Sequence, residues 1–425
     1  MVKEEIQKFF KGEVENDGET LNKYSRDASL LLVRPQVVVY PKDKEDVKNL
    51  VKWVSENKKK YSGLSITARC AGTDMSGGAI GESIIMDFSR YMNRLIGGPL
   101  PMQNKSAWEI TVEPGMFYRD FEKITLAKDL ILPCYTASKS LNAMGGMYGN
   151  NSAGERTLKY GKTEDYILRA KVVFSDGNEY EVKPLSKAEL EKKIAQNNGE
   201  GELYRNIFNL IQENKVEIES AKPKVHKNSA GYYLWNVINE RDTNNYFDLN
   251  KILVGSQGTL GIVTEITFKI IPETKYSKLV AVFMNDLEPL GRLVDEMLPL
   301  NPETLEAYDD KTMKLAVKFF FDFLKNKGFI GMIKFMLSFL PEAFIMLTNG
   351  FPKLIILVEF AGKSEEDVHD QCVNLENKIK HFNLRVHITK NQTEANKYWD
   401  IRRESFALLR KHVSGKHTAP FIDDI

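Results

Sequence analysis

The sequence predicts an α+β fold, and three observations carry the prediction. Short β-branched runs, such as Val37-Val38-Val39-Tyr40 between Pro35 and Pro41, alternate with charged stretches of helical spacing. Three glycine-rich stretches, 69–78, 145–154 and 255–261, each abut an apolar, strand-like run. From about residue 276 the order strand, helix, strand suits an α+β sandwich.

The elements follow in order. Residues 1–30 read as helix and polar loop, and the run from Arg34 to Pro41 as a short strand. Val47, Leu50, Val51 and Val54 put an apolar stripe on a helix from Asp43 to Lys58. Leu64 to Ala68 is a strand entering the first glycine stretch, and Ser83 to Phe88 a strand leaving it. Trp108 to Val112 is a strand ended by the turn Glu113-Pro114-Gly115, and Tyr118 to Leu126 a helix. Ile167 to Phe174 and Glu179 to Val182 form a hairpin about Asp176-Gly177. Residues 185–221 read as a polar helical insertion, within about 185–225, broken at Gly199-Glu200-Gly201. Lys251 to Gly255 and Gly261 to Ile271 read as strands flanking the third stretch, closed by Pro272. Beyond it, Lys278 to Met284, Leu354 to Phe360 and Arg385 to Ile388 read as strands, with a helix from Ser364 to Phe382. The organisation expected is a helical segment 1–30, a first domain 31–275 and a second domain 276–425.

Bulk composition excludes several classes. Lys and Arg total 59 against 58 Asp and Glu, which gives no electrostatic reason to expect nucleic acid. A hydrophobic content of 42% supports a globular core. The three cysteines, Cys70, Cys134 and Cys372, form no CxxC and no disulfide framework, so a reducing cytoplasm is the default. No HxH or HExxH spacing occurs among the six histidines, so no metal site is expected. The amino terminus lacks the apolar core of a signal peptide. No window offers about 18 uncharged apolar residues, so no membrane-spanning helix is expected.

The glycine stretches carry the chemistry. Glycine lacks a Cβ, so a ligand can lie on the backbone, and successive N–H groups can form a nest for a diphosphate. No stretch matches GxGxxG. Gly161-Lys162-Thr163 ends like a Walker motif, but Arg156 stands where its leading glycine belongs. Some other phosphate cradle is indicated. Tight turns are the alternative for any single stretch. Asn150-Asn151-Ser152-Ala153-Gly154 is too long for a turn, and Asn150, Asn151, Ser152 and Thr259 supply hydrogen-bonding groups for a polar ring edge.

These stretches resemble the FAD-linked oxidases and dehydrogenases of the vanillyl-alcohol-oxidase type, in the branch of the glycolate oxidase FAD subunit and the D-lactate dehydrogenases. The family's AGTSLSGGA is matched by Ala71 to Ala79. Its IGGN.A.NAGG and following YG are matched by Met144 to Gly154 and by Tyr160-Gly161. Its VGSEGTLGIVTE is matched by Val254 to Glu265, with Gln257 in place of Glu, and its VTVEPG by Ile110 to Gly115. The likeness runs from about residue 24 to about 275 and continues more loosely to the end.

The resemblance implies a PCMH-type FAD-binding domain of two α+β subdomains, then a truncated ferredoxin-like α+β substrate domain. It implies non-covalent FAD, since Asp74 stands near the place where some relatives attach the flavin to histidine, and no histidine occurs between residues 1 and 225. The cofactor residues it implies are Arg69, Ala71, Gly72, Thr73, Asp74, Ser76, Gly77 and Gly78 at the diphosphate. Pro133, Ala137, Ser138, Gly145, Gly146, Asn150, Asn151, Ala153, Gly154, Tyr160 and Gly161 would lie along the isoalloxazine and ribityl parts. Gly258, Thr259, Gly261, Ile262 and Val263 would close over the adenine side or the flavin edge. Arg69 would offset the diphosphate charge, with an ordinary exposed arginine as the alternative. For Cys134 a packing role is expected, because nothing nearby in sequence lowers its pKa.

The implied activity is oxidation of a 2-hydroxy acid of the D-lactate or glycolate type. The alternatives are oxidation of another alcohol, or a flavin-binding subunit active only with a partner. Trp399-Asp400-Ile401-Arg402 resembles the family's WxxR, whose arginine contacts the substrate carboxylate. Arg402 is the candidate, and an ordinary surface charge on a helix is the alternative. The family's HxGDGN segment, with its metal-binding and proton-transfer groups, would fall beyond Ile425, so the catalytic base is expected outside this sequence. Residues 315–350 form a Phe-rich insert with Lys318, Lys325, Lys327 and Lys334 among large apolar residues. It suits either a bilayer interface, with quinone or another acceptor taking the electrons, or a helical pair packed on the second domain.

Overall fold

The computed structural model describes residues 2–103, 106–225, 231–318 and 352–412. They fall into two compact units. Residues up to 154 and from 162 to 273 make the first, and residues 155–161 join those from 274 onward in the second.

The first unit holds two sheets. In one, β1 (Glu13–Glu15), β2 (Val37–Tyr40), β3 (Ile66–Arg69) and β4 (Ile84–Asp87) lie in the order β1-β2-β4-β3. β4 pairs in parallel with both β2 and β3. Parallel strands need a crossover, and the helix Lys44–Asn57 provides it between β2 and β3. Asp43 caps that helix, accepting from the N–H groups of Glu45 and Asp46. Its Val47, Leu50, Val51 and Val54 are buried with Val37, Val39, Ile84 and Met86 in one core.

The second sheet contains β5 (Leu95–Pro101), β6 (Trp108–Val112), β8 (Ile167–Val173), β9 (Glu179–Val182) and β10 (Ile262–Pro272), in the order β5-β6-β10-β8-β9. The short β7 (Leu130–Ile131) pairs with the end of β10. Val173 and Ile262 enter the same core as the first sheet, so the two layers share apolar contacts. The hairpin β8–β9 turns at Gly177, whose φ of 76° lies in the left-handed region that glycine tolerates.

Local structure differs from the expectation at several places. Residues 251–255 are not a strand; Asn250–Leu253 is a helical turn. The Asp248 carboxylate accepts from the N–H of Asn250 and so starts the turn. β5, at the sheet edge, is not among the expected strands; it contains Gly97-Gly98-Pro99, residues tolerated at an edge. Gly199-Glu200-Gly201 form the first turn of the helix Gly199–Glu213, with Asn198 capping Gly201.

The second unit contains a four-stranded antiparallel sheet. Its strands β11 (Tyr276–Met284), β12 (Thr304–Asp309), β13 (Leu354–Gly362) and β14 (Arg385–Ile388) lie in the order β12-β13-β11-β14. One face buries Val280, Val282, Ile356 and Val358 against Leu293, Cys372 and Leu375 of the helices Leu290–Met297 and Glu365–Lys378. The other buries Leu279, Ala281, Ile355 and Leu357 against Tyr398, Trp399 and Ile401 of the helix Gln392–His412. This alternation is what a central strand covered on both faces requires. Most of the Phe-rich insert, from 319 to 350, lies outside the described residues.

Candidate functional site

Three turns of chain meet at one cavity in the first unit. The first glycine stretch leaves the carboxyl end of β3, the second starts as the helix Met144–Gly149, and the third runs into β10. Hydrogen bonds stitch them together. The N–H of Gly145 donates to Pro114 O at 2.7 Å, that of Gly255 to Tyr148 O at 3.0 Å, and that of Gln257 to Gly149 O at 2.8 Å. The Gln257 side chain also reaches Ser76 Oγ at 3.2 Å.

The cavity wall contains Arg69, Ala71, Gly72, Thr73, Asp74, Gly78, Ser138, Gly145, Gly146, Asn150, Gly258, Gly261, Ile262 and Val263. Ser76, Asn151 and Thr259 instead line an adjoining cavity of about 330 Å³, which shares Asn150, Ser256 and Gln257 with the first. Pro133, Gly77, Ala137, Ala153 and Gly154 belong to the same unit but lie outside both linings. Tyr160 and Gly161 belong to the second unit. There the Tyr160 hydroxyl donates to Glu303 at 3.2 Å.

Five further wall residues are not among the expected cofactor residues. Cys70, Tyr148 and Gln257 lie within the three glycine stretches and Pro114 in the VEPG-like turn, so those motifs could have pointed to them, whereas Asn142 carries no local signal.

The first stretch has the chemistry of an anion nest. Among the described residues, the N–H groups of Ala71, Gly72 and Thr73 donate to no protein acceptor. The Asp74 carboxylate turns the loop back by accepting from the N–H groups of Ser76 and Gly78, at 3.2 and 2.6 Å. The Arg69 guanidinium donates to Ala79 O at 3.0 Å and Arg26 O at 2.9 Å, and lies 5.0 Å from the Tyr24 ring centroid. Arg69 therefore braces both ends of the loop and brings a positive charge to its base. Burial pushes the Arg69 pKa down.

The wall is also shaped for close approach. A Cβ on Gly145 would stand 2.6 Å from Pro114 Cβ and 3.0 Å from Cys70 Sγ. Burial pushes the Cys70 thiol up to about 12, so this sulfur is neutral near pH 7. Cys134 is fully buried and likewise pushed up to about 12 by burial, with Thr163 Oγ1 at 3.9 Å, which suits packing. No cluster of metal-ligand type occurs among the described residues. Open N–H groups, one nearby cation and a wall of glycines and apolar side chains such as Phe88, Met147 and Leu253 fit a diphosphate carrying planar apolar parts.

In the second unit, Arg402 Nε and Nη2 donate to Glu306 Oε2 at 3.3 and 3.1 Å. The Arg402 side chain is partly exposed.

An FAD binding domain matches residues 35–183, and the C-terminal domain of FAD linked oxidases matches residues 273–425. The chain is 26% identical over 408 residues to D-2-hydroxyglutarate dehydrogenase of Escherichia coli (strain K12), covering 94% of this chain and 38% of that protein. It is 25% identical over 282 residues to glycolate oxidase subunit GlcD of Bacillus subtilis (strain 168), covering 66% and 46%. It is 26% identical over 290 residues to D-lactate dehydrogenase of Anaerostipes hadrus, covering 67% and 47%. The chain thus spans less than half the length of these relatives. Alkyldihydroxyacetonephosphate synthase superimposes with a TM-score of 0.64 at 15% identity, over 96% of this chain and 63% of that one, a likeness of fold.

Proposed function

The chain belongs to the FAD-linked oxidases of the vanillyl-alcohol-oxidase type, with FAD as cofactor, and on that premise we propose that it takes part in oxidation of a 2-hydroxy acid. The observation that carries the reading is the meeting of three glycine-rich segments at one cavity whose first loop offers unpaired N–H groups. The N–H groups of Ala71 to Thr73 hold the diphosphate, with Arg69 offsetting its charge. Gly146, where a Cβ would meet nothing within 4 Å, leaves the wall flat for the ligand, Gly145 lets that wall pack on Pro114 and Cys70, and Gly258 to Val263 close it from the β10 side. FAD held there would supply hydride acceptance from the carbon that bears the hydroxyl, whose proton would pass to a base. Arg402 binds the substrate carboxylate, and Glu306 orients its guanidinium.

The names of the relatives supply the substrate class: lactate and glycolate, which the sequence pattern suggests, and 2-hydroxyglutarate, which names several of the relatives. The test is direct. Purified chain is loaded with FAD and mixed without oxygen with D-lactate, glycolate or D-2-hydroxyglutarate, and flavin absorbance is followed. Bleaching by one acid supports the reading. A yellow chain that no 2-hydroxy acid bleaches favours a flavin-binding subunit completed by a partner. A chain that takes up no FAD overturns both.

For electron transfer the second reading is a peripheral membrane contact through residues 315–350, with quinone as acceptor. The phenylalanines and lysines of that stretch favour it. No described helix is long and apolar enough to cross a membrane. Flotation with anionic liposomes separates the alternatives: equal binding with and without 315–350 removes the contact.

A further inference from the structure

We propose that Gln257 is a positioning residue for the cofactor, whose neutral side-chain amide clasps the first glycine loop to the second by starting a one-way relay of hydrogen bonds. This rests on the reading that the cavity takes FAD. The amide Nε2 donates to Ser76 Oγ at 3.2 Å and reaches Asn150 Oδ1 at 3.5 Å. Ser76 Oγ–H passes the relay on to the Asp74 carboxylate, 3.1 Å from each oxygen. Asp74 in turn fixes the loop by accepting from the N–H of Gly78 at 2.6 Å.

The direction of the relay requires an amide. A hydroxyl has a single proton to give, and Ser76 gives it to Asp74. Its lone pairs then call for a donor, which Gln257 supplies. A carboxylate at 257 would compete with Asp74 for that one proton, and would stand as a second anion beside the proposed diphosphate nest.

Two features hold the amide in this place. Gln257 has a φ of 51°, in the left-handed region, and its N–H is bonded to Gly149 O. Its Oε1 lies against Gly78, where a Cβ would stand only 2.5 Å away. The charged side chains lining the two cavities that meet at Gln257 are Arg69 and Asp74, and the other titratable groups there are Cys70, Tyr148, Tyr232 and Tyr233.

The test compares Gln257→Glu and Gln257→Met in the full chain, using FAD itself as the probe. Quenching of flavin fluorescence gives Kd across about pH 5 to 8. Hydrogen exchange of residues 71–78 is measured in cofactor-free protein against wild type at the same pH. Q257M is expected to bind FAD about tenfold more weakly at every pH. Q257E is expected to bind more weakly than Q257M at about pH 8, where its carboxylate adds a second anion, and to recover toward about pH 5 as this carboxyl, facing the Asp74 carboxylate across Ser76, gains a proton and can donate to Ser76. Q257M should exchange faster over 71–78 at every pH, and Q257E at the alkaline end. Wild-type affinity and exchange in Q257M overturn the clasp. A loss in Q257E that is the same at both ends of the pH range overturns the relay. A wild-type chain that takes up no FAD overturns the cofactor reading and the cofactor role of Gln257 with it; loop exchange in Q257M then decides the clasp by itself.

Discussion

The cavity of the first unit and the polar cluster of the second handle charge in opposite ways. The cavity is made of backbone and mostly neutral side chains, with Arg69 and Asp74 as its charged groups. The cluster is made of charged side chains. Glu303, nearly inaccessible, pairs with Arg156 at 3.2 Å and Lys159 at 3.4 Å and accepts from the Tyr160 hydroxyl. Glu359 is buried beside it and accepts from Ser277 Oγ at 3.1 Å. Burial, opposed by Arg156 and reinforced by the Glu303 charge, pushes Glu359 up to about 7. Backbone amides do not titrate in the physiological range, whereas buried carboxylates do. Ligand binding in the first unit should therefore be almost insensitive to pH, while the stability of the second should not.

The largest expected effect breaks the cavity. Gly145→Val would drive side-chain atoms into Pro114 and Cys70. It should lower FAD retention about a hundredfold or more, read from flavin absorbance after gel filtration. Next, on the proposed role of Arg402 in 2-hydroxy acid oxidation, Arg402→Ala should lower kcat/KM by roughly thirtyfold or more, with FAD uptake unchanged. Arg402→Lys should not restore it, because an ammonium cannot match the carboxylate in two places. The Arg402–Glu306 pair is partly exposed, so its loss should cost little stability.

A third experiment sharpens the contrast in pH dependence. The folded pKa of Glu359 lies above its ordinary 4.5, so the folded chain keeps a proton that the unfolded chain has already lost between about 4.5 and 7. Its contribution to stability is therefore lost as pH rises through that window. Glu359→Gln should flatten this part of the profile and be more stable than wild type near pH 8 by about 2 kcal/mol, read from denaturant melts. The smallest effect concerns the cavity thiol. Cys70 should react with iodoacetamide at about pH 8 far more slowly than a free cysteine, since its pKa is pushed up to about 12. Cys70→Ala should leave the pH independence of FAD binding intact.

Much of the local architecture was legible. The helix Lys44–Asn57 follows from its valine and leucine spacing and its Asp43 cap. The strands β2, β6, β8, β9 and β14 follow from β-branched runs bounded by turn residues. Other elements were not. Met144–Gly149 is helical although Gly145, Gly146 and Gly149 have poor helix propensity. Its Met144, Met147 and Tyr148 are buried, and that tertiary contact outweighs the propensity. β12, Thr304–Asp309, has an unremarkable polar sequence and becomes a strand by pairing with β13. For the site, the sequence pointed to glycine segments but not to their clasp, nor to the place of Tyr160 and Gly161 in the second unit.

The amino-acid order alone determined which segments have little side chain, which faces are apolar, and where the chain can turn, because these are properties of neighbouring residues. The tertiary structure alone decided that Ser76 and Gln257, 181 positions apart, share a hydrogen bond, and that Glu303 and Glu359 lie buried in one cluster. Hydrogen-bond partners and pKa shifts depend on distance and burial in space. Packing sets both, and no local pattern encodes either.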